Sequence, residues 1–187
     1  MEHAVPDRPR SSHPRLVTVP GLHGSEPAHW QSWLENEYPN ALRVTQSDWD
    51  RPDIEQWTQR ALSQLVRIDE PYVVAAHSFG CLTTVQALIS DLPHLVGVLL
   101  VAPANPTRFE IAALNRRRLR VPSIVVASDT DPWMSATHAR DLAHDWGSAY
   151  INLGDVGHIN VASGFGPFPR ARQFVEMLAQ TRRAISA

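Results

Sequence analysis

Three polar residues that could together carry out acyl transfer each follow a separate apolar run of the chain. They are Ser78, Asp131 and His158. A serine hydroxyl is a poor nucleophile, so it needs a histidine base, and the histidine needs a carboxylate to orient it. Serine, aspartate, histidine is one of the chain orders in which such a set occurs. The spacing therefore predicts a nucleophile, an acid and a base.

The stretch "AAHSFG" places Ser78 between a predicted strand and a predicted helix. In the pattern G-x-S-x-G, a nucleophilic serine occupies a sharp turn of this kind, and the strained turn requires small neighbours. Gly80 matches the second glycine, whereas Ala76 replaces the first. Because alanine is also small, the stretch still predicts a nucleophile. The alternative is that Ser78 only caps the following helix.

The choice of acid rests on the position of each aspartate after its strand. Asp131 lies a few residues beyond a strand, where a loop can turn its carboxylate toward His158. The alternative is that Asp131 caps the helix predicted near residue 135. Asp129 is the second candidate, although we expect it to bond the amides of its own turn. We expect Asp155 to hold its own loop, and the alternative for His158 is an ordinary surface histidine.

Acyl transfer also needs two backbone N–H donors for the oxyanion. The amide of Phe79 at the helix start is expected to supply one, and the amide of Leu22 in the loop after the first strand the other. The alternative for that loop is a glycine-containing turn without function. Several side chains in or near loops at the strand ends are pocket candidates, although aromatic residues more often belong to the core. They are His23, Trp30, Trp49, Trp133 and Met134.

Apolar runs alternate with helical patterns along the chain. The predicted strands are 15–19, 41–45, 71–76, 95–102, 122–128 and 148–153. The predicted helices are about 27–37, 53–67, 79–91, 135–146 and 169–183. Near-continuous Val, Ile and Leu runs suit parallel strands covered on both faces. The pattern predicts an α/β fold with a doubly wound, mostly parallel sheet of about six strands and helices on both faces. The long segment 103–120 is predicted to form a small lid or a rim helix.

The composition, with 43% hydrophobic and 19% charged residues among 187, is typical of a globular chain. Residues 1–14 are predicted to be a disordered leader and residues 15–187 a single domain. A net charge of −2, with only a short basic run at 115–120, does not favour a nucleic-acid partner. No apolar run reaches the ~20 residues of a membrane helix, so no membrane partner is expected. The single cysteine, Cys81, excludes an intramolecular disulfide and favours a cytoplasmic location.

Motifs for cofactors and metals are missing from the sequence. The chain has no glycine-rich dinucleotide fingerprint, no H-E-x-x-H motif and no cluster of cysteine and histidine. We therefore expect neither a cofactor nor a metal ion.

Five stretches together resemble the small serine hydrolases related to retinoblastoma-binding protein nine and bacterial YdeN. They are "PGLHGSEPAHWQSWLE", "QSDWDRPDIEQW", "AHSFGCLT", "SDTDPW" and "GHINVASGFGPFP", of which the last is the most specific. The resemblance covers nearly the whole chain from about residue 15. It implies a minimal α/β-hydrolase domain without a large cap, in which Ser78, Asp131 and His158 match the family's serine, aspartate and histidine.

The residues and the resemblance together predict hydrolysis of a small ester or amide through an acyl-enzyme, with a small-molecule acyl substrate as the partner. The alternative is a ligand-binding or protein-interaction module that keeps a vestigial triad. The sequence specifies neither the acyl group nor the oligomeric state. The L-x-C-E-type motif associated with pocket-protein binding in the mammalian relative is missing here, so that partner is not expected.

Overall fold

The computed structural model describes residues 13–185, with six strands and five α-helices in that range. The strands are β1 (Arg15–Val19), β2 (Leu42–Arg43), β3 (Tyr72–His77), β4 (Leu95–Val101), β5 (Ser123–Ala127) and β6 (Ala149–Asn152). The helices are α1 (Trp30–Asn36), α2 (Ile54–Leu65), α3 (Phe79–Ala87), α4 (Ala136–Trp146) and α5 (Pro169–Ile185). Two short 3₁₀ helices lie between β4 and β5, and a third lies between β6 and α5.

All six strands are parallel and lie in the order β2-β1-β3-β4-β5-β6. The chain moves outward from β1 to β2, then returns to place β3 on the other side of β1. Loops after β1 and β3 therefore diverge and leave a crevice at the carboxyl ends of these strands. Ligand sites of open α/β sheets form at such a switch point.

Each strand contributes alternate side chains to two hydrophobic layers, one on each face of the sheet. Val17, Val74, Val98 and Val125 pack with α2, α3 and α4. The neighbouring side chains Leu16, Val73, Leu99 and Ile124 pack with α1 and α5. Because both faces of the sheet are buried, the strand sequences are continuous apolar runs without polar alternation.

The predicted α/β class, the six strands and helices on both faces of the sheet are confirmed. Helix α1 begins at Trp30, later than the predicted start near residue 27, because the preceding loop contains turns. His29 caps this helix. The segment 103–120 contains 3₁₀ helices at Pro106–Phe109 and Ala112–Arg116. The predicted leader, residues 1–14, lies outside the described residues except for its last two positions.

Among the helices of residues 13–185, none is long and apolar enough to cross a bilayer.

Gly80, in the first turn of α3, lies directly against the backbone that leaves β1. A Cβ atom at this position would lie 2.2 Å from the Val19 carbonyl oxygen and 2.5 Å from that of Pro20. Backbone atoms held in a sheet cannot move aside as a flexible side chain could. Only glycine therefore allows α3 to start so close to β1.

Replacing Gly80 by alanine is expected to lower the free energy of unfolding by about 2–3 kcal/mol, because the new methyl group overpacks a rigid contact. Gly154→Ala is the matched control: its Cβ would meet nothing within 4 Å, and only its φ of +80° opposes a side chain. That control should cost about 1 kcal/mol. Urea unfolding of both variants measures the difference, and equal losses would contradict the close approach described here.

Candidate active site

Ser78 occupies a strained turn between β3 and α3. Its backbone has φ 53° and ψ −122°, a conformation that non-glycine residues rarely adopt. Although it precedes α3, its side chain makes no capping hydrogen bond. The hydroxyl Oγ lies instead 3.0 Å from Nε2 of His158. The strained turn thus presents the hydroxyl to the histidine rather than to the helix.

His158 also contacts a carboxylate through its other ring nitrogen. Nδ1 of His158 lies 2.8 Å from Oδ2 of Asp131, whose side chain is only 2% exposed. A carboxylate can only accept, so Nδ1 carries the proton, and Nε2 of the neutral ring is free to accept from the Ser78 hydroxyl. The other Asp131 oxygen accepts the backbone N–H of Trp133 at 2.9 Å. Helix α4 is capped by Ser135 and not by Asp131.

The two other aspartates near the histidine have separate partners. Asp129 accepts a hydrogen bond from the Asn152 side chain at 2.7 Å. Asp155 accepts one from the Thr130 hydroxyl at 2.5 Å, which ties the loop after β6 to the loop after β5. The structure therefore brings Asp131, and neither of these residues, to His158.

The His158 backbone is held from two sides. Nε2 of His77 donates to the His158 carbonyl oxygen at 3.0 Å, and Oγ of Ser163 accepts the His158 N–H at 3.1 Å. The next residue, Ile159, is fully buried with φ +51°, which is unusual for a β-branched residue. These contacts stabilise a strained loop that fixes the position of the His158 imidazole.

Two further histidines form a column of rings with His158. The ring centroids of His77 lie 4.9 Å from those of His158 and His29. Burial lowers the pKa of His77 well below its usual range, and the neighbouring histidines add to this shift. Burial also lowers the pKa of His29 to about 4. At neutral pH both rings are therefore uncharged.

The loop after β1 passes close to the turn at Ser78. A Cβ atom on Gly21 would lie 2.8 Å from Ser78 Cβ and 3.3 Å from the Phe79 nitrogen. The N–H groups of Leu22 and Phe79 donate to no acceptor within the described part of the chain. Both N–H groups are therefore available as donors to an oxyanion.

A buried glutamine anchors the loop that carries Leu22. The Gln31 side-chain amide donates to the carbonyl oxygens of Val19 and Ala75, at 3.2 and 2.9 Å, and so joins β1 to β3. Its oxygen accepts from the Ser25 hydroxyl at 2.6 Å. The loop after β1 is therefore tied to the two strands that flank the crevice.

A cavity of about 580 Å³ opens beside the Ser78 hydroxyl. Its walls combine the loop after β1, the histidine column, the 3₁₀ helix Pro106–Phe109 and the loop after β5. The lining residues are Leu22, His23, Gly24, Glu26, His29, His77, Ser78, Ala104, Asn105, Arg108, Phe109, Trp133, His158 and Asn160.

The pocket candidates from the sequence divide into two groups. His23 and Trp133 line the cavity, and Trp133 is 54% exposed. Trp30, Trp49 and Met134 are not among the described residues that line it. Trp30 is fully buried, Trp49 packs edge-on against the core residue Trp57, and Met134 belongs to the hydrophobic layer with α4.

Sequence reasoning missed most of the cavity wall. It marked 103–120 only as a lid or rim segment, and this segment supplies Asn105, Arg108 and Phe109. His77, whose ring bonds the His158 backbone, was not among the candidates from the sequence. The available signal for His77 was its position as the last residue of a buried strand that ends at the nucleophile candidate. For a metal, no suitable group of three His, Cys, Asp or Glu side chains occurs among the described residues.

Comparisons with known proteins find a matching family model and similar solved structures. A family model described as serine hydrolase matches residues 16–177. A solved structure described as a YdeN-like hydrolase from Pectobacterium atrosepticum is 37% identical and covers 90% of this chain and 94% of its own, with a TM-score of 0.83. No curated protein matches the chain.

More distant structures share the fold alone. The ydeN gene product from B. subtilis is 20% identical over 88% of this chain and 98% of its own, with a TM-score of 0.75. The enol-lactonase from Burkholderia xenovorans is 18% identical over 90% of each chain, with a TM-score of 0.59.

The lowered pKa of His29 predicts a loss of stability in acid. Below pH 6.5 the unfolded chain binds a proton at His29, whereas the folded chain binds it only near pH 4. Stability present above pH 6.5 is thus lost as the pH falls, by about 3 kcal/mol at pH 4.

The variant His29→Asn removes this titration and keeps the cap of α1, because asparagine also accepts the Gln31 N–H. Urea unfolding at pH 7.5 and pH 4 should show a smaller acid loss in the variant than in the wild type. Parallel losses in the two proteins would show that burial of His29 does not destabilise the fold in acid.

Proposed function

The chain belongs to the serine hydrolase family and has the α/β-hydrolase fold, and we propose that it cleaves small carboxylic esters or amides through Ser78, His158 and Asp131. No large cap domain interrupts the described residues. The hydrogen-bonded chain from Asp131 through His158 to Ser78, ending at an open cavity, carries the proposal.

Each group has a defined role in the proposed reaction. Oγ of Ser78 forms a bond to the substrate carbonyl carbon while its proton moves to Nε2 of His158. Asp131 holds the tautomer and stabilises the imidazolium that results. The amides of Leu22 and Phe79 donate to the oxyanion.

Two tetrahedral intermediates follow one another in the proposed reaction, one before and one after the acyl-enzyme. The carbon–heteroatom bond of the substrate breaks, and the leaving group takes the proton from His158, which leaves an acyl group on Ser78. Water gives a proton to His158 and attacks the acyl carbon. The second collapse releases the carboxylic acid and returns the proton to the serine oxygen.

The neutral column of His77 and His29 supports this role for His158. A charged histidine 4.9 Å away would oppose the imidazolium that forms during the reaction, whereas a neutral ring does not. The hydrogen bond from His77 to the His158 carbonyl also fixes the ring without drawing on its nitrogens.

Ser78→Ala is expected to abolish hydrolysis of p-nitrophenyl acetate and labelling by a fluorophosphonate probe. Ser90→Ala, an exposed serine at the opposite end of the sheet, is the control and should retain both. Labelling that persists in Ser78→Ala would overturn the assignment. Wild-type protein that is labelled but turns over no ester or amide in a broad panel would favour a binding module instead.

Asp131→Asn is expected to lower kcat by about 10⁴-fold, because an amide stabilises the wrong histidine tautomer. Asp129→Asn makes the same chemical change two residues away, at a carboxylate that bonds Asn152, and should lower kcat less than threefold. Thermal melting of both variants separates lost chemistry from lost fold. A larger defect in the Asp129 variant would assign the acid to that residue.

A further inference from the structure

The geometry points to a substrate whose acyl chain ends in a carboxylate, bound by Arg108 in the wall of the cavity that opens at Ser78. This inference rests on the proposed function and adds the chemical class of the substrate. Monoesters of short dicarboxylic acids belong to this class.

Arg108 is an exposed cation in the cavity wall that has an aromatic neighbour but no carboxylate partner in the part of the chain that the structure describes. Its guanidinium carbon lies 5.4 Å from the ring centre of Trp133, and both side chains line the cavity. Among the described side chains, no carboxylate lies within ion-pair distance of it. The ring orients the planar guanidinium and leaves its N–H groups for an anion.

The short helix Pro106–Phe109 that carries Arg108 is anchored at both ends. Asn105 caps it by accepting the Thr107 N–H at 3.0 Å, and Pro106 is buried. Phe109 packs against Phe79 with ring centroids 4.8 Å apart. The backbone of Arg108 therefore has a defined position relative to the turn that carries Ser78.

The remaining polar groups of the wall are mostly donors. In Asn105 and Asn160 the side-chain oxygen accepts backbone N–H groups, so the free atom of each amide is the NH₂ donor. In His29, Nδ1 accepts the Gln31 N–H, so the neutral ring carries its proton on Nε2. A cavity rich in donors favours a ligand rich in acceptors, and a carboxylate offers acceptor sites only.

Two acidic groups near the mouth do not reverse this balance. Glu26 lines the cavity, is exposed, and acts electrostatically on His29. Asp50 is paired with His23 at 2.9 Å, so its charge already has a hydrogen-bond partner. The anion is therefore expected to bind at Arg108 and Trp133 rather than at Glu26.

The test compares p-nitrophenyl monoesters of succinic, glutaric and adipic acids with the neutral esters of the same chain length, each corrected for the rate without protein. We expect the wild type to prefer at least one charged ester over its neutral match by tenfold or more in kcat/KM. Arg108→Gln should reduce that preference at least tenfold, and Arg108→Lys should restore part of it, because charge-assisted hydrogen bonds to carboxylates are among the stronger polar contacts.

Arg120→Gln makes the same change of charge at the amino end of the sheet and is the matched control. It should leave the preference unchanged, whereas a general electrostatic effect would lower it equally in both variants. Equal rates for charged and neutral esters in the wild type would overturn the inference. A preference for cationic aminoacyl esters would also overturn it and assign selectivity to Glu26.

A binding measurement separates this inference from the proposed function. Calorimetry with monomethyl glutarate on Ser78→Ala requires no turnover, and we expect binding that weakens at least tenfold in Arg108→Gln/Ser78→Ala. Ester hydrolysis without a charge preference, together with no such binding, would refute the substrate class and leave the serine mechanism intact. Binding at Arg108 without hydrolysis of any ester would refute the mechanism and retain the anion site.

Discussion

The site depends on the close approach of two backbones, the one leaving β1 and the one turning from β3 into α3. The approach is possible because both contact positions, Gly21 and Gly80, lack a Cβ atom. It braces the strained φ of Ser78 and brings the loop that carries Leu22 close to the Phe79 nitrogen. Parallel pairing of β1 with β3 sets this distance, and the Gln31 amide fixes it from the opposite face.

The edge of the sheet that carries the proposed catalytic residues could be predicted because the topology constrains it. Parallel strands end at one edge of the sheet, so Ser78, Asp131 and His158 had to lie along that edge once the strands were recognised. The aspartate was harder to choose, since Asp129 and Asp131 follow the same strand. Their difference rests on the direction of a turn, which sequence spacing does not encode.

The cavity wall could not be predicted to the same degree. Trp30 and Trp49 lie near the right loops in sequence, yet Trp30 is buried in the core and Trp49 packs against the core residue Trp57. Arg108 enters the wall through a 3₁₀ helix that has no periodic signature. Whether a side chain faces a cavity or the core depends on packing between distant segments, so the local sequence pattern does not predict it.

Asp131 binds two different parts of the molecule, one with each carboxylate oxygen. One oxygen orients His158, and the other holds the backbone of Trp133, on which Arg108 stacks. The proposed recognition at the cavity wall and the proposed proton transfer at the serine therefore both depend on a single side chain. If the loop after β5 were replaced to broaden the range of accepted substrates, the orientation of the proposed base His158 would change as well. Specificity and rate in this scaffold are therefore expected to change together.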